Sequence, residues 1–334
     1  MKKIRYIVCI LLVLTCSIFM CSCENSGKLL FGTGNVGGNY YLYGSTFSHF
    51  LSEDNDKIKV NVKSTAGSAA NIRLIEKGFL DIGIVQSDML DDAYSGTGAF
   101  QNSKCSKIRT LAGLYMEECQ IIVRKDSDIY SVSDLYGKKV SVGEKESGVV
   151  KNAEHIMSVN GISGNMVDKI NLSISDAASK LESKEIDALF FTSDAPATSI
   201  TELAKNTEIR VIPLNNETIK RMINNYNGYT ACTIPANTYT GQTEDIQTVG
   251  VKAVLVASSK LSNERAEQII STLFEHNSEI AHSTAASELD YNFAVSGIKT
   301  PFHNGALKWY KKQNIDVNEN MDSTEKSNSE TAEN

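Results

Sequence analysis

The chain writes one α/β unit twice. Gly32 and Gly37 close a short Gly-rich loop after Leu29-Leu30-Phe31, and Gly143 and Gly148 repeat that spacing after Val140-Ser141-Val142. From Gly37 it is 23 residues to Val60, and from Gly148 it is 22 to Ile170, each opening a short alternating strand. A third strand then starts on an aspartate and ends in Ser-Asp, Asp81 to Asp88 and Asp187 to Asp194, both intervals being seven residues. Two β-α-β-α-β units of this kind predict two lobes with a cleft between them, lined by the loops at the C-terminal strand ends.

The pattern predicts strands near Lys28–Gly32, Lys59–Lys63 and Ile82–Val85, with helices over 39–51 and 68–77. Tyr40, Tyr43, Phe47, Phe50 and Leu51 recur at helical spacing, as one apolar stripe facing a sheet would. A polar stretch is expected from Asp88 to Ser106, followed by extended runs at 108–115 and 119–124. The second unit reads as strands at 138–142, 169–174 and 186–192 and helices at 148–159, 176–184 and 197–205. Val211-Ile212-Pro213, 229–234 and the apolar run 248–258 read as further strands, and Ser262 caps a helix over 263–282. Ile121–Val123 and Val251–Val256 are the expected hinge, where the chain crosses between lobes.

Lys2, Lys3 and Arg5 precede an apolar run of 14 residues, Ile7 to Met20, and Met20-Cys21-Ser22-Cys23 follows. The run is short for a spanning helix of ~20 residues and fits a signal peptide. The site resembles a bacterial lipobox, with small Ser22 before Cys23 and bulky Met20 before the rival Cys21. Residues 1–22 are therefore expected to be a lipoprotein signal, Cys23 the acylated residue and 23–28 a tether. An extracytoplasmic, lipid-anchored protein is implied. Cys105, Cys119 and Cys232 remain, with no metal-site spacing. The net charge of −7 comes with no basic patch, which disfavours nucleic acid as a partner. From Gln313 the chain turns polar and acidic, and 313–334 reads as a disordered tail.

Gly32-Thr33-Gly34-Asn35-Val36-Gly37 is a literal G-x-G-x-x-G between strand and helix. Export argues against a dinucleotide, which leaves a glycine turn offering backbone N–H groups to a small ligand, and no cofactor is expected. Ser68 and Ser147 stand at predicted helix starts, where free N–H groups and the helix dipole favour an anion; simple N-capping is the competing role. Asn71 is a further amide donor or a solvated helix residue. Gln86 and Thr192 end strands beside the crevice, whereas Asp81 and Asp187 start strands on the far side and read as turn residues. The five histidines, His49, His155, His276, His282 and His303, neighbour no cleft motif, so no catalytic set and no metal site emerges.

Gly32 to Tyr41, Thr65 to Asn71, Gly83 to Asp88, Val140 to Gly143, Ile234 to Tyr239 and Pro301 to Ala306, in that order and spacing, resemble the TAXI-type substrate receptors of TRAP transporters over about residues 29 to 310. The resemblance implies an α/β, two-lobed, periplasmic-binding-protein-like clamshell of type II, each lobe a mixed sheet flanked by helices. It also implies a non-enzymatic receptor that delivers a small organic anion or amino acid to a sodium-driven permease. Lobe one would comprise 29–115 plus 240–312, and lobe two 116–239. Carried over by motif, the ligand contacts would be Gly37, Gly38, Asn39, Tyr40, Ser68, Asn71 and Gln86 from lobe one, with Ser147, Phe191 and Thr192 from lobe two and Tyr239 on a returning segment. The chain departs from the family pattern at Leu42, Ala70 and Asp194; an aspartate in the cleft would favour an amine over a second ligand carboxylate. A secreted α/β hydrolase-like enzyme and a chemosensory surface lipoprotein are the alternative readings.

Overall fold

Two parallel β-α-β-α-β units occupy the two ends of one hydrogen-bonded sheet. The computed structural model describes residues 28–317 apart from 56, 57, 285 and 287. The signal segment 1–22, Cys23, the tether up to residue 27 and the tail from 318 lie outside the described residues.

The first unit runs β1 (Leu29–Gly32), α1 (Asn39–Glu53), β2 (Val60–Lys63), α2 (Ser68–Glu76) and β3 (Ile82–Gln86). A short helix, α3 (Ser87–Ser95), then leads to the long strand β4 (Ile108–Arg124). The second unit follows as β5 (Lys139–Ser141), α4 (Gly148–Val159), β6 (Asp168–Ile170), α5 (Ile174–Glu182) and β7 (Ala188–Ser193). In each unit the first strand lies between the other two and pairs with them in parallel. The repetition reaches atomic detail. Asp81 accepts from Leu30 N–H and Asp187 from Lys139 N–H, both at 2.8 Å. The two strand-opening aspartates thus fix the start of the third strand against the first.

The remainder comprises α6 (Thr198–Asn206), β8 (Ile209–Val211), α7 (Asn216–Asn225), β9 (Thr230–Ile234) and β10 (Ile246–Ser258). Helices α8 (Asn263–Glu275), α9 (Asn277–Thr284), α10 (Tyr291–Val295) and α11 (Asn304–Lys312) complete it. Apolar spacing decides which faces turn inward. Tyr43, Phe47 and Leu51 of α1 pack with Trp309 and Tyr310 of α11 on the β1 side, while Ala153, Ile156 and Met157 of α4 pack beneath β5 and β7. Ser173 and Ser262 cap α5 and α8 by accepting from the backbone three residues on.

β4 and β10 hold the two ends together. β4 pairs with β10 from Ile108 to Glu118, and with β7 from Glu118 to Val123. β10 pairs with β9 up to Gly250 and with β3 from Ala253. The exchange of partners therefore falls at Glu118 and Gly250, which face each other in register. It lies before the expected Ile121–Val123 and at the edge of Val251–Val256.

Several elements differ from their expected form. The stretch after Asp88 opens with α3, whose Met89, Leu90 and Ala93 are buried. Helix α7 was unexpected, although Ile219, Met222 and Ile223 stand at helical spacing; Thr218, Ile219 and Met222 are its buried residues. The helix expected over 263–282 is divided at His276. Beyond Gln313, Ile315 and Val317 pack against the α1 core, so the chain stays docked through the first residues of the expected tail.

Candidate ligand-binding cleft

A cleft of about 670 Å³, open mouth included, lies where the loops of the two units meet. The first unit contributes the Gly34–Tyr40 turn, Ala66 to Ser68 and Gln86, and the second contributes Ser141, the Gly143–Val149 loop and Phe190 to Ser193. Leu172, Ile174 and Ala177 at the β6–α5 turn extend an apolar wall with Val149 and Phe191.

Polar contacts tie the two sides of the cleft. Asn35 donates to Glu144, Asn39 to Asp194, and Ser199 to the Gly37 carbonyl at 2.8 Å. Arg73 pairs with Glu146. Lys151 Nζ lies 2.7 Å from Asp92 Oδ2 and 3.3 Å from Asp88 Oδ2, and Asn152 donates to Asp88 at 3.3 Å. Burial works against the Lys151 charge, but the two carboxylates more than offset it, so its pKa is raised.

The predicted contact residues divide into two groups. Gly38, Asn39, Tyr40, Ser68, Gln86, Ser147, Phe191 and Thr192 line the cleft together. Gly37, Asn71, Asp194 and Tyr239 do not form its wall. Gly37 takes a left-handed φ of 91° in the turn and gives its carbonyl to Ser199. Asn71 is fully buried, with its amide spent on the Thr33 and Ile84 carbonyls and its oxygen on Thr65, so it staples the loops behind the wall. Tyr239 accepts from Ala197 N–H and donates to Gln120, also behind it. Asp194 accepts from Asn39 and Ser193 at the cleft margin.

The two helix starts are not equivalent either. At α2 the Ala69 and Ala70 N–H groups already donate to the Glu146 carbonyl, at 3.0 and 3.2 Å, and Ser68 Oγ accepts from Gln86 N–H. That start is a contact between the two sides. At α4 the Gly148 and Val149 N–H groups have no acceptor among the described residues. Two fully buried polar atoms of the lining residues, Gln86 Oε1 and Ser141 Oγ, have no hydrogen-bond partner among the described residues. A Cβ on Gly148 would collide with the Gln86 amide, so glycine is needed for that close approach.

Charge in the cleft is one-sided. Glu117 and Glu144 line it, and among the described residues no Lys, Arg or His side chain does. Glu117 is buried and accepts from Tyr40 Oη at 2.8 Å. Burial pushes its carboxyl well above the ordinary carboxylate range; the Tyr40 bond opposes this, and Asp194, Asp88 and Glu118 reinforce it. Next to it, burial raises Glu118 to about 7. Sequence reading missed both acids, since they sit between two runs read as separate strands. Two adjacent acids inside an otherwise apolar extended segment were the available signal. Among the described residues no group of three or more His, Cys, Asp or Glu is placed to hold a metal ion.

Residues 31–313 match the model of the NMT1-like family. Among solved structures, the arginine-, lysine-, histidine-binding protein ArtJ from Geobacillus stearothermophilus superposes with a TM-score of 0.51 at 12% identity, over 80% of this chain and 98% of that one. An ancestral arginine-binding protein bound to arginine gives 0.50 at 16% identity, over 77% and 97%. The fold is that of the type II periplasmic binding proteins, a curled mixed sheet with flanking helices.

Proposed function

Since the chain belongs to the NMT1-like family, matched over residues 31–313, we propose that it is an extracytoplasmic receptor that captures a small organic acid or amino acid. The observation that carries this reading is the cleft itself: two copies of one α/β unit face each other around it and touch through Asn39–Asp194 on one side and Lys151–Asp88 on the other. Residues 29–115 with 240–312 would move as one lobe and 116–239 as the other, about the partner exchange at Glu118 and Gly250. The ligand is bound and released unchanged.

The motif order from Gly32 to Ala306 supports a TAXI-type receptor that hands its ligand to a sodium-coupled TRAP permease. Acylation at Cys23 would hold it at the outer face of the cell membrane. A thermal-shift screen of the soluble form against amino, 2-oxo and dicarboxylic acids tests the reading, because a ligand of the native fold raises apparent stability by mass action. At least one of these classes raises the melting temperature in a saturable way. A protein indifferent to all of them is not this receptor.

A further inference from the structure

The cleft presents three different surfaces. At the start of α4, Gly148 and Val149 offer N–H groups with no acceptor among the described residues, at the positive end of a 12-residue helix. Fully buried Ser141 Oγ, from the same unit, and Gln86 Oε1, which the other unit brings against Gly148, have no partner among the described residues. Among the described residues, buried Glu117, which also lines the cleft, has the Tyr40 hydroxyl as its one hydrogen-bond partner, and no cationic side chain lines the cleft. Val149, Leu172, Ile174, Ala177 and Phe191 form the third, apolar surface.

Building on the receptor reading, we infer that the ligand is a zwitterionic α-amino acid with an apolar side chain. Its carboxylate sits at the α4 start, its ammonium at Glu117 and its side chain on the Val149–Phe191 wall. An oxyanion alone would leave the Glu117 carboxyl with Tyr40 as its one neighbour to bond among the described residues. A dicarboxylate would set its second charge in a cleft that Glu144 lines and, among the described residues, no cationic side chain does. A basic side chain would be stripped of water against the apolar wall.

The test compares L-leucine with 4-methyl-2-oxopentanoate, which share carboxylate and side chain and differ at the α-carbon, ammonium in one and carbonyl in the other, by calorimetric titration and thermal shift, with L-glutamate alongside. Wild-type protein binds L-leucine at least tenfold more tightly than the oxo acid or L-glutamate. Glu117→Gln lowers L-leucine affinity at least tenfold and leaves oxo-acid affinity within twofold, with an unliganded melting temperature that reports its folding. The wild-type comparison stands even if that variant folds poorly. Oxo acid or L-glutamate bound as tightly as L-leucine overturns this inference while leaving the receptor reading intact. No response to any amino, 2-oxo or dicarboxylic acid overturns both.

Discussion

Asp88 and Asp194 occupy equivalent positions in the two repeated units, and each reaches across the cleft to the opposite one. Asp88 meets Lys151 and Asn152 of α4, and Asp194 meets Asn39 of α1. The duplicated Ser-Asp strand ending therefore supplies two latches, related by the same internal symmetry that makes the cleft.

The latches differ in burial, which sets what their loss costs. Asp88 is almost wholly buried, so Lys151→Ala leaves an uncompensated carboxylate and is expected to destabilise the protein by about 3 kcal/mol. Asp194→Ala removes a bond that forms when the sides meet; it should weaken ligand binding by about fivefold, the equivalent of ~1 kcal/mol, and change unfolding less than Lys151→Ala does. Urea unfolding and ligand titration of both variants check the contrast.

Gly148→Ala is a probe of the cleft that spares the fold. Alanine is the better helix former, but its methyl group would push the Gln86 amide into the space between the units. Ligand affinity should fall tenfold or more while unfolding free energy moves by less than about 1 kcal/mol. Equal affinity in wild type and variant would place the binding site elsewhere.

Glu118 gives the fold a specific pH dependence. Its carboxyl titrates near 7 in the native state because of burial, against 4.5 for the free side chain, and Asp194 adds to the rise. Between these values the native state binds the extra proton, so stability is greatest below about 4.5 and is lost as pH rises through 7, by up to about 3 kcal/mol from this group. Glu118→Gln should flatten that part of the profile relative to wild type. Denaturant midpoints at pH 5 and pH 8 measure the difference.

Binding of an ammonium group should release a proton. Burial holds the Glu117 carboxyl well above the usual range; the bond from Tyr40 of α1 opposes this, and Asp194 after β7, Asp88 on α3 and its own neighbour Glu118 on β4 reinforce it. An incoming cation favours the ionised form, so affinity for L-leucine rises with pH until Glu117 is ionised in the free protein. Titrations in buffers of different ionisation enthalpy read the released proton directly, and Glu117→Gln abolishes it.

The repeated unit was legible because glycine turns, strand-opening aspartates and apolar spacing all recur at one interval. Helix α4 spans Gly148–Val159 as the spacing indicated, since Ala153, Ile156 and Met157 mark one face and Asn160-Gly161 ends it. Helix α3 was hidden by its composition: Asp88, Asp91 and Asp92 dominate a segment whose buried side is only Met89, Leu90 and Ala93. The cleft was legible where backbone sets it, at Gly38, Ser68 and Ser147. It was not where tertiary partners decide. Asn71 and Tyr239 look like ligand donors until the carbonyls, the Gln120 amide and the Ala197 N–H that engage them are seen. Glu117 looks like a surface acid until Tyr40 of α1 is seen to meet its buried carboxyl.

Closure of the two units around a solute is measured most directly by the distance across the cleft mouth. Val36 and Lys145 are exposed on opposite sides of it, and spin labels there, with Cys232→Ser, report their separation by pulsed dipolar spectroscopy. Saturation with the acid that gives the largest thermal shift should collapse a broad distance distribution into a single shorter one. A distribution that is unchanged by a ligand shown to bind would contradict a clamshell receptor.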